Sequence, residues 1–173
     1  MEGKALEVQV GPLLRQNNLK LAAAESCTGG LIGHRLTNVP GSSDYYLGSI
    51  VAYSYEAKQR LLGVKHETLQ TYGAVSQETV IEMAHGVRTV FNSDFPMEKI
   101  IGISVSGIAG PGGGMPGKPV GLVWIGLSAA GLERAYRFLW DGDRLKNKEL
   151  SAEMALKLLL DYLQGEQKGH GGA

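Results

Sequence analysis

Cysteine is almost absent: Cys27 stands alone among 173 residues, so no disulfide can form within the chain. An excess of either charge is absent too. Lys and Arg number 17, as do Asp and Glu, so no global field draws the chain to nucleic acid or an anionic membrane. Long apolar runs are missing. The stretch Val120 to Ala130 falls far short of the roughly 20 residues that a membrane helix needs, and no basic start followed by an apolar stretch marks an export signal. The four histidines, His34, His66, His85 and His170, are scattered, with no His-Glu-x-x-His pattern and no paired cysteines, so no metal site is expected. These absences direct expectation to a soluble protein of the reducing cytoplasm, without a nucleic-acid or membrane partner.

What is present is an ordinary globular composition, 43% hydrophobic and 20% charged, at a length suited to one domain. That domain is expected over residues 1–164, with a glycine-rich tail, 165–173, expected to be disordered. Leu6, Val10, Leu13 and Leu14 recur at helical spacing, and the helix they form is expected to end near Asn17-Asn18. Leu19 to Ala24 reads as a short strand, after which Thr28-Gly29-Gly30 opens a helix to about Thr37. Leu47 to Ser54 alternates as a strand does, placing Tyr53 on it, and Tyr55 to Leu62 is a helix stopped by Gly63. Ser76 caps a helix with an apolar stripe through Val80, Met83, Ala84 and Val87. Ile100 to Val105 reads as a central strand buried on both faces. Val120 to Leu127 and Ala135 to Trp140 make a hairpin, and Asp143 caps a last helix to about Gln164. Strands interleaved with helices, plus one hairpin, predict a three-layer α/β/α sandwich with a mixed, mostly parallel sheet.

In open α/β sheets the ligand crevice lies at the carboxyl ends of the parallel strands, which directs attention to the segments 25–30, 54–58 and 106–117. Ser26 sits where a strand turns into a helix whose first amides lack intrahelical partners. Those of Thr28, Gly29 and Gly30 can hold an oxyanion or a phosphate. Lys58, in the first turn of its helix, faces the positive end of the macrodipole, which favours the neutral amine. A neutral amine can take the serine proton, and Tyr53 can relay or orient it. The stretch Ser106-Gly107-Ile108-Ala109-Gly110 opens a glycine loop whose amides can line an anion or a flat ring. Two patterns in that loop mislead. Gly112 to Lys118 imitates a phosphate loop, but Pro119 replaces the hydroxyl residue, and Gly112-x-Gly114-x-x-Gly117 imitates a dinucleotide fingerprint, but neither opens a helix. Arg144, in the turn Asp141-Gly142-Asp143-Arg144, has the forked geometry for a phosphate. Each residue also has a plainer reading. Ser26 or Thr28 can simply cap a helix, Lys58 and Arg144 can be surface charges, Tyr53 can pack at a rim, and Cys27 is an alternative nucleophile beside Ser26.

Taken in order, Ala24-Glu25-Ser26-Cys27-Thr28-Gly29-Gly30, Tyr53-Ser54-Tyr55-Glu56-Ala57-Lys58, Gly73-Ala74-Val75-Ser76, Ser106-Gly107-Ile108-Ala109-Gly110-Pro111 and Gly142-Asp143-Arg144 resemble the CinA C-terminal family, the nicotinamide-nucleotide amidohydrolases. The resemblance spans about residues 5 to 164. It implies deamidation of nicotinamide mononucleotide to nicotinate mononucleotide and ammonia, in pyridine-nucleotide salvage, without metal or cofactor. It also implies Ser26 as nucleophile, Tyr53 and Lys58 as the rest of the catalytic set, and a homodimer. Relatives often show arginine where Lys148 stands. Many carry a further N-terminal domain resembling molybdopterin-binding proteins, which the chain is expected to lack. Two rivals remain at this level: a non-catalytic nucleotide-binding or regulatory module built on the same glycine loops, and a structural or assembly subunit.

Overall fold

A computed structural model describes residues 5–165, so all of the tail reading except Gly165 lies outside the described residues. The elements are α1 (Leu6–Gln16), β1 (Lys20–Glu25), α2 (Leu31–Thr37), β2 (Tyr46–Val51), α3 (Tyr55–Leu62), α4 (His66–Tyr72), α5 (Gln77–Val90), β3 (Ile100–Gly107), β4 (Leu122–Ala129), β5 (Leu132–Leu139) and α6 (Arg144–Leu163). The sheet runs β2-β1-β3-β4-β5. β1 pairs in parallel with both β2 and β3, while β4 is antiparallel to β3 and to β5. Four strands therefore point one way and β4 the other, as a mixed, mostly parallel sheet requires.

The two-residue period of a strand divides β1 between the layers. Leu21 and Ala23 join the core under α1, α2 and α6, whereas Ala22 and Ala24 join the one under α3, α4 and α5. β3 is split differently. Ile101, Ile103 and Val105 face α6, but Gly102 and Ser104 face α5, because that helix lies too close for larger side chains. A Cβ on Gly102 would stand 2.0 Å from the Ala84 carbonyl oxygen and one on Gly126 2.3 Å from that of Val80. The Ser104 hydroxyl instead donates to the Val80 carbonyl at 2.6 Å. The tight fit brings the carboxyl ends of β1 and β3 beside the start of α3.

Several boundaries differ from the sequence reading. β2 ends at Val51, so Tyr53 lies in the connection to α3 and not on a strand. The hairpin strands begin at Leu122 and Leu132, and its turn closes at Ala129-Ala130-Gly131-Leu132. α2 starts at Leu31, with Gly30 as its N-cap at φ 99°, a conformation that suits glycine. α4 has no counterpart in the sequence reading. It is seven residues long and lacks a side-chain cap, so neither periodicity nor a capping residue announces it.

Helices α3 and α5 meet at Gly86, where a Cβ would fall 1.8 Å from the Leu62 carbonyl oxygen. Alanine would gain about 1 kcal/mol of helix propensity. Against a backbone atom that cannot rotate aside, overpacking should cost nearer the upper end of the usual range, about 3 kcal/mol. Gly86→Ala is therefore expected to lose about 2 kcal/mol in urea unfolding; equal or greater stability would contradict this packing account.

Candidate active site

The first crossover of the fold is built around a buried carboxylate. Glu25, the last residue of β1, is 0% exposed. One carboxylate oxygen accepts from the amide of Gly33 at 2.9 Å and the hydroxyl of Ser49 at 2.8 Å. The other accepts from the Thr28 hydroxyl at 2.8 Å and the amides of Gly30 and Ile32 at 3.1 and 3.0 Å. A charge out of water demands such partners, and these are the amide groups that a helix start leaves unpaired. The Gly30 amide, expected to face a ligand, is thus committed internally. That of Gly29 donates to the Ser26 carbonyl at 3.0 Å. The amides of Cys27 and Thr28 have no oxygen acceptor among the described residues.

Ser26 follows Glu25 directly, its amide tied to the Val105 carbonyl at 3.0 Å as the last link between β1 and β3. Its hydroxyl meets Lys58 Nζ at 2.9 Å. Lys58 comes from the first half of α3, whose N-cap Ser54 accepts from the Ala57 amide at 3.1 Å. The side chain is 1% exposed, and Nζ also donates to the carbonyls of Ala52 at 2.8 Å and Tyr53 at 3.3 Å. Burial, which penalises the ammonium, pulls its pKa from 10.5 down to about 8. A neutral amine here keeps its two hydrogens on the two carbonyls and turns its lone pair to Ser26 Oγ. The contact is direct and needs no phenol between the two groups.

Tyr53 is 63% exposed, and its hydroxyl accepts from Arg144 Nη2 at 3.1 Å. Nη1 of Arg144 donates to the Gly110 carbonyl at 2.7 Å. Two corners of the guanidinium fork are therefore engaged within the protein. The neighbouring cation is Lys148 on α6, close enough to Cys27 to act on its thiol electrostatically. It lines a cleft of about 380 Å³ with Thr28, Gly29, Gly30, His34 and Leu145, and a Cβ on Gly29 would lie 3.7 Å from its Nζ. Cys27 is buried, which pushes its thiol up to about 12, so the thiolate that a cysteine nucleophile requires is scarce at neutral pH.

In the glycine loop, Ser106 turns its hydroxyl to the Ala74 carbonyl at 2.7 Å. The amide of Ile108 donates to the Leu122 carbonyl at 2.9 Å, and Gly107 sits against Val123 with no room for a Cβ. The carbonyl of Ala109 accepts from Asn147 Nδ2 at 3.0 Å. α6 therefore holds this loop at Ala109 through Asn147 and at Gly110 through Arg144. The sequence reading passed over Glu25 and Asn147 as site-building residues. The signals were an acid ending an apolar strand and an Asn on the stripe it shares with Ser151, Ala155 and Leu159. A larger groove of about 630 Å³, lined by Leu61, Ile81, Glu82, His85 and Glu133, lies between α3 and α5; neither Ser26 nor Lys58 lines it.

Comparison with known proteins places the chain among relatives. The family model described as CinA C-terminal domain matches residues 3–163. A CinA-like protein of Salinibacter ruber is 49% identical over 152 residues, covering 88% of this chain and 35% of its own length. One of Desulforapulum autotrophicum is 50% identical over 160 residues, covering 91% and 36%. The chain thus spans little more than a third of these curated relatives. Solved structures match along nearly their whole length. A CinA superfamily protein of Klebsiella pneumoniae superposes with a TM-score of 0.85 at 33% identity, covering 92% of this chain and 96% of its own. A competence or damage-inducible protein of Enterobacter asburiae gives 0.84 at 35%, covering 91% and 96%. With fold, sequence and family model in agreement over the described residues, the chain belongs to the family of the CinA C-terminal domain.

Proposed function

We propose that the chain is a Ser-Lys amidohydrolase that deamidates nicotinamide mononucleotide to nicotinate mononucleotide and ammonia, with Ser26 as nucleophile and Lys58 as base. The observation that carries this reading is the 2.9 Å approach of a buried lysine amine to the Ser26 hydroxyl at the carboxyl end of the sheet. A lysine held there for packing alone would cost desolvation with no return, whereas a base must lose its proton near working pH. The substrate class comes from the family motifs, and the chemistry suits it, since a pyridinium ring makes its carboxamide more electrophilic than an ordinary amide.

As Ser26 Oγ attacks the carboxamide carbon, its proton passes to Lys58 Nζ, and the negative charge on the carbonyl oxygen meets the amides of Cys27 and Thr28, which have no oxygen acceptor among the described residues. Lys58 then gives its proton to the departing nitrogen, and ammonia leaves the acyl-enzyme. A water molecule, losing a proton to the same amine, attacks the ester, and that proton returns to Ser26 as the acid departs. Lys148 and the adjoining cleft supply a cation for the phosphate. Arg144 joins Tyr53 to the glycine loop and so shapes the opposite wall. The reading includes no metal or organic cofactor.

Incubation with nicotinamide mononucleotide in EDTA should release ammonia, and none above blank from wild type would defeat the proposal. Nucleotide binding without ammonia would transfer support to the nucleotide-binding module. Ser26→Ala and Lys58→Ala should each lose at least about 1000-fold in kcat, the scale on which activated nucleophiles matter, while Cys27→Ala stays near wild type. The rate should climb with pH through about 8, as the amine loses its proton.

The same depressed pKa fixes a stability trend. The unfolded chain binds the lysine proton more tightly than the native one, so stability rises as pH climbs from about 8 to 10.5 and is lost as it falls back. The difference amounts to about 3 kcal/mol at roughly 1.4 kcal/mol per pH step. In urea unfolding at pH 7 and 10.5, wild type should gain about that much relative to Lys58→Met; parallel behaviour of the two would show that the amine is not perturbed.

A further inference from the structure

We infer that Glu25 is a positioning residue of the amidohydrolase site, acting through the 26–30 turn to set Ser26 against Lys58; this rests on the function proposed above. Three elements converge on its carboxylate: the turn through Thr28 and Gly30, the first residues of α2 through Ile32 and Gly33, and β2 through Ser49. Ser26 is covalently next to Glu25 and two residues from Thr28, so both of its flanks are tied to one buried group. The third tie is its own amide on Val105. With three points fixed, the serine has little freedom to drift from the amine.

The carboxylate also governs which amides remain for chemistry. By taking those of Gly30, Ile32 and Gly33 it fills the start of α2 with the protein's own anion. A substrate phosphate or oxyanion is thereby turned away from the helix and toward the Cys27 and Thr28 amides and Lys148. Space enforces the arrangement. A Cβ on Gly33 would lie 2.6 Å from the Tyr46 hydroxyl and 2.9 Å from Ser49 Oγ, and those two oxygens are themselves 2.5 Å apart. Glu25 need not touch substrate to do this, and its amine neighbour owes its lowered pKa to burial, not to this carboxylate.

Two substitutions test the role, with thermal melting to confirm folding. Glu25→Gln presents an amide nitrogen to donors that need an acceptor. Thr28→Val keeps shape but removes the hydroxyl that ties the turn to Glu25, and Thr28→Ser restores it. For Glu25→Gln and Thr28→Val the expected result is a kcat lower by about 100-fold, the effect of a small misplacement of reacting groups. KM for nicotinamide mononucleotide should change much less than kcat, since Lys148 is kept although Thr28 lines the same cleft, and the pH midpoint should remain near 8. Thr28→Ser should recover most of kcat. If Glu25→Gln does not fold, the Thr28 pair decides alone. Folded Thr28→Val with kcat close to wild type overturns the inference, as does a displaced pH midpoint, which would make Glu25 part of the proton chemistry. Wild type without turnover would instead defeat the amidohydrolase reading itself.

Discussion

A lysine amine held dry against a serine hydroxyl is the constraint around which this protein is arranged. Burying a cation is among the costliest choices a fold can make, and three oxygens around Lys58 Nζ only partly offset it. The neutral amine is the cheaper form, and burial brings its pKa down to about 8. β1 and β3 hold the serine, the short helix α3 delivers the lysine, and two carbonyls of the connection between β2 and α3 accept from its amine.

Delivery to such tolerance requires that the layers do not slide. The small residues under α5 have this effect. Gly102 and Gly126 let α5 and the sheet approach, and Gly86 lets α5 and α3 approach, until carbonyl oxygens fill the space of missing Cβ atoms. Close-packed interiors transmit displacement, so the spacing of α3 from the sheet is set by glycines remote from the chemistry. On the other side of the sheet the core is of the usual kind, with Leu, Ile and Val from β1, β3 and β4 against α1 and α6. α6 has a second task there, because its first turns pin the glycine loop through Arg144 and Asn147.

Much of this could be read before any coordinates. Periodicity located five helices and five strands, since burying one face imposes its period on the residues. What failed were ends and short pieces. β2 stops before Tyr53 because the chain must leave the sheet for Lys58 to turn inward, and α4 is too short to carry a pattern. Ser26, Lys58 and Tyr53 were singled out as neighbours of strand ends, yet the sequence could not say whether Tyr53 stood between the other two. In the fold its hydroxyl faces Arg144, and Lys58 meets Ser26 without the phenol between them.

The sequence by itself determined the layer architecture and the segments in which chemistry could occur, because alternation, helical spacing and glycine clusters are local consequences of burial and backbone freedom. Only the tertiary structure decided which donors were already engaged. Glu25 meets residues up to 24 positions away, and Arg144 meets Tyr53 across 91. Whether an amide or a guanidinium is free for a ligand depends on what the rest of the chain brings within hydrogen-bond distance of it, and no local pattern encodes that.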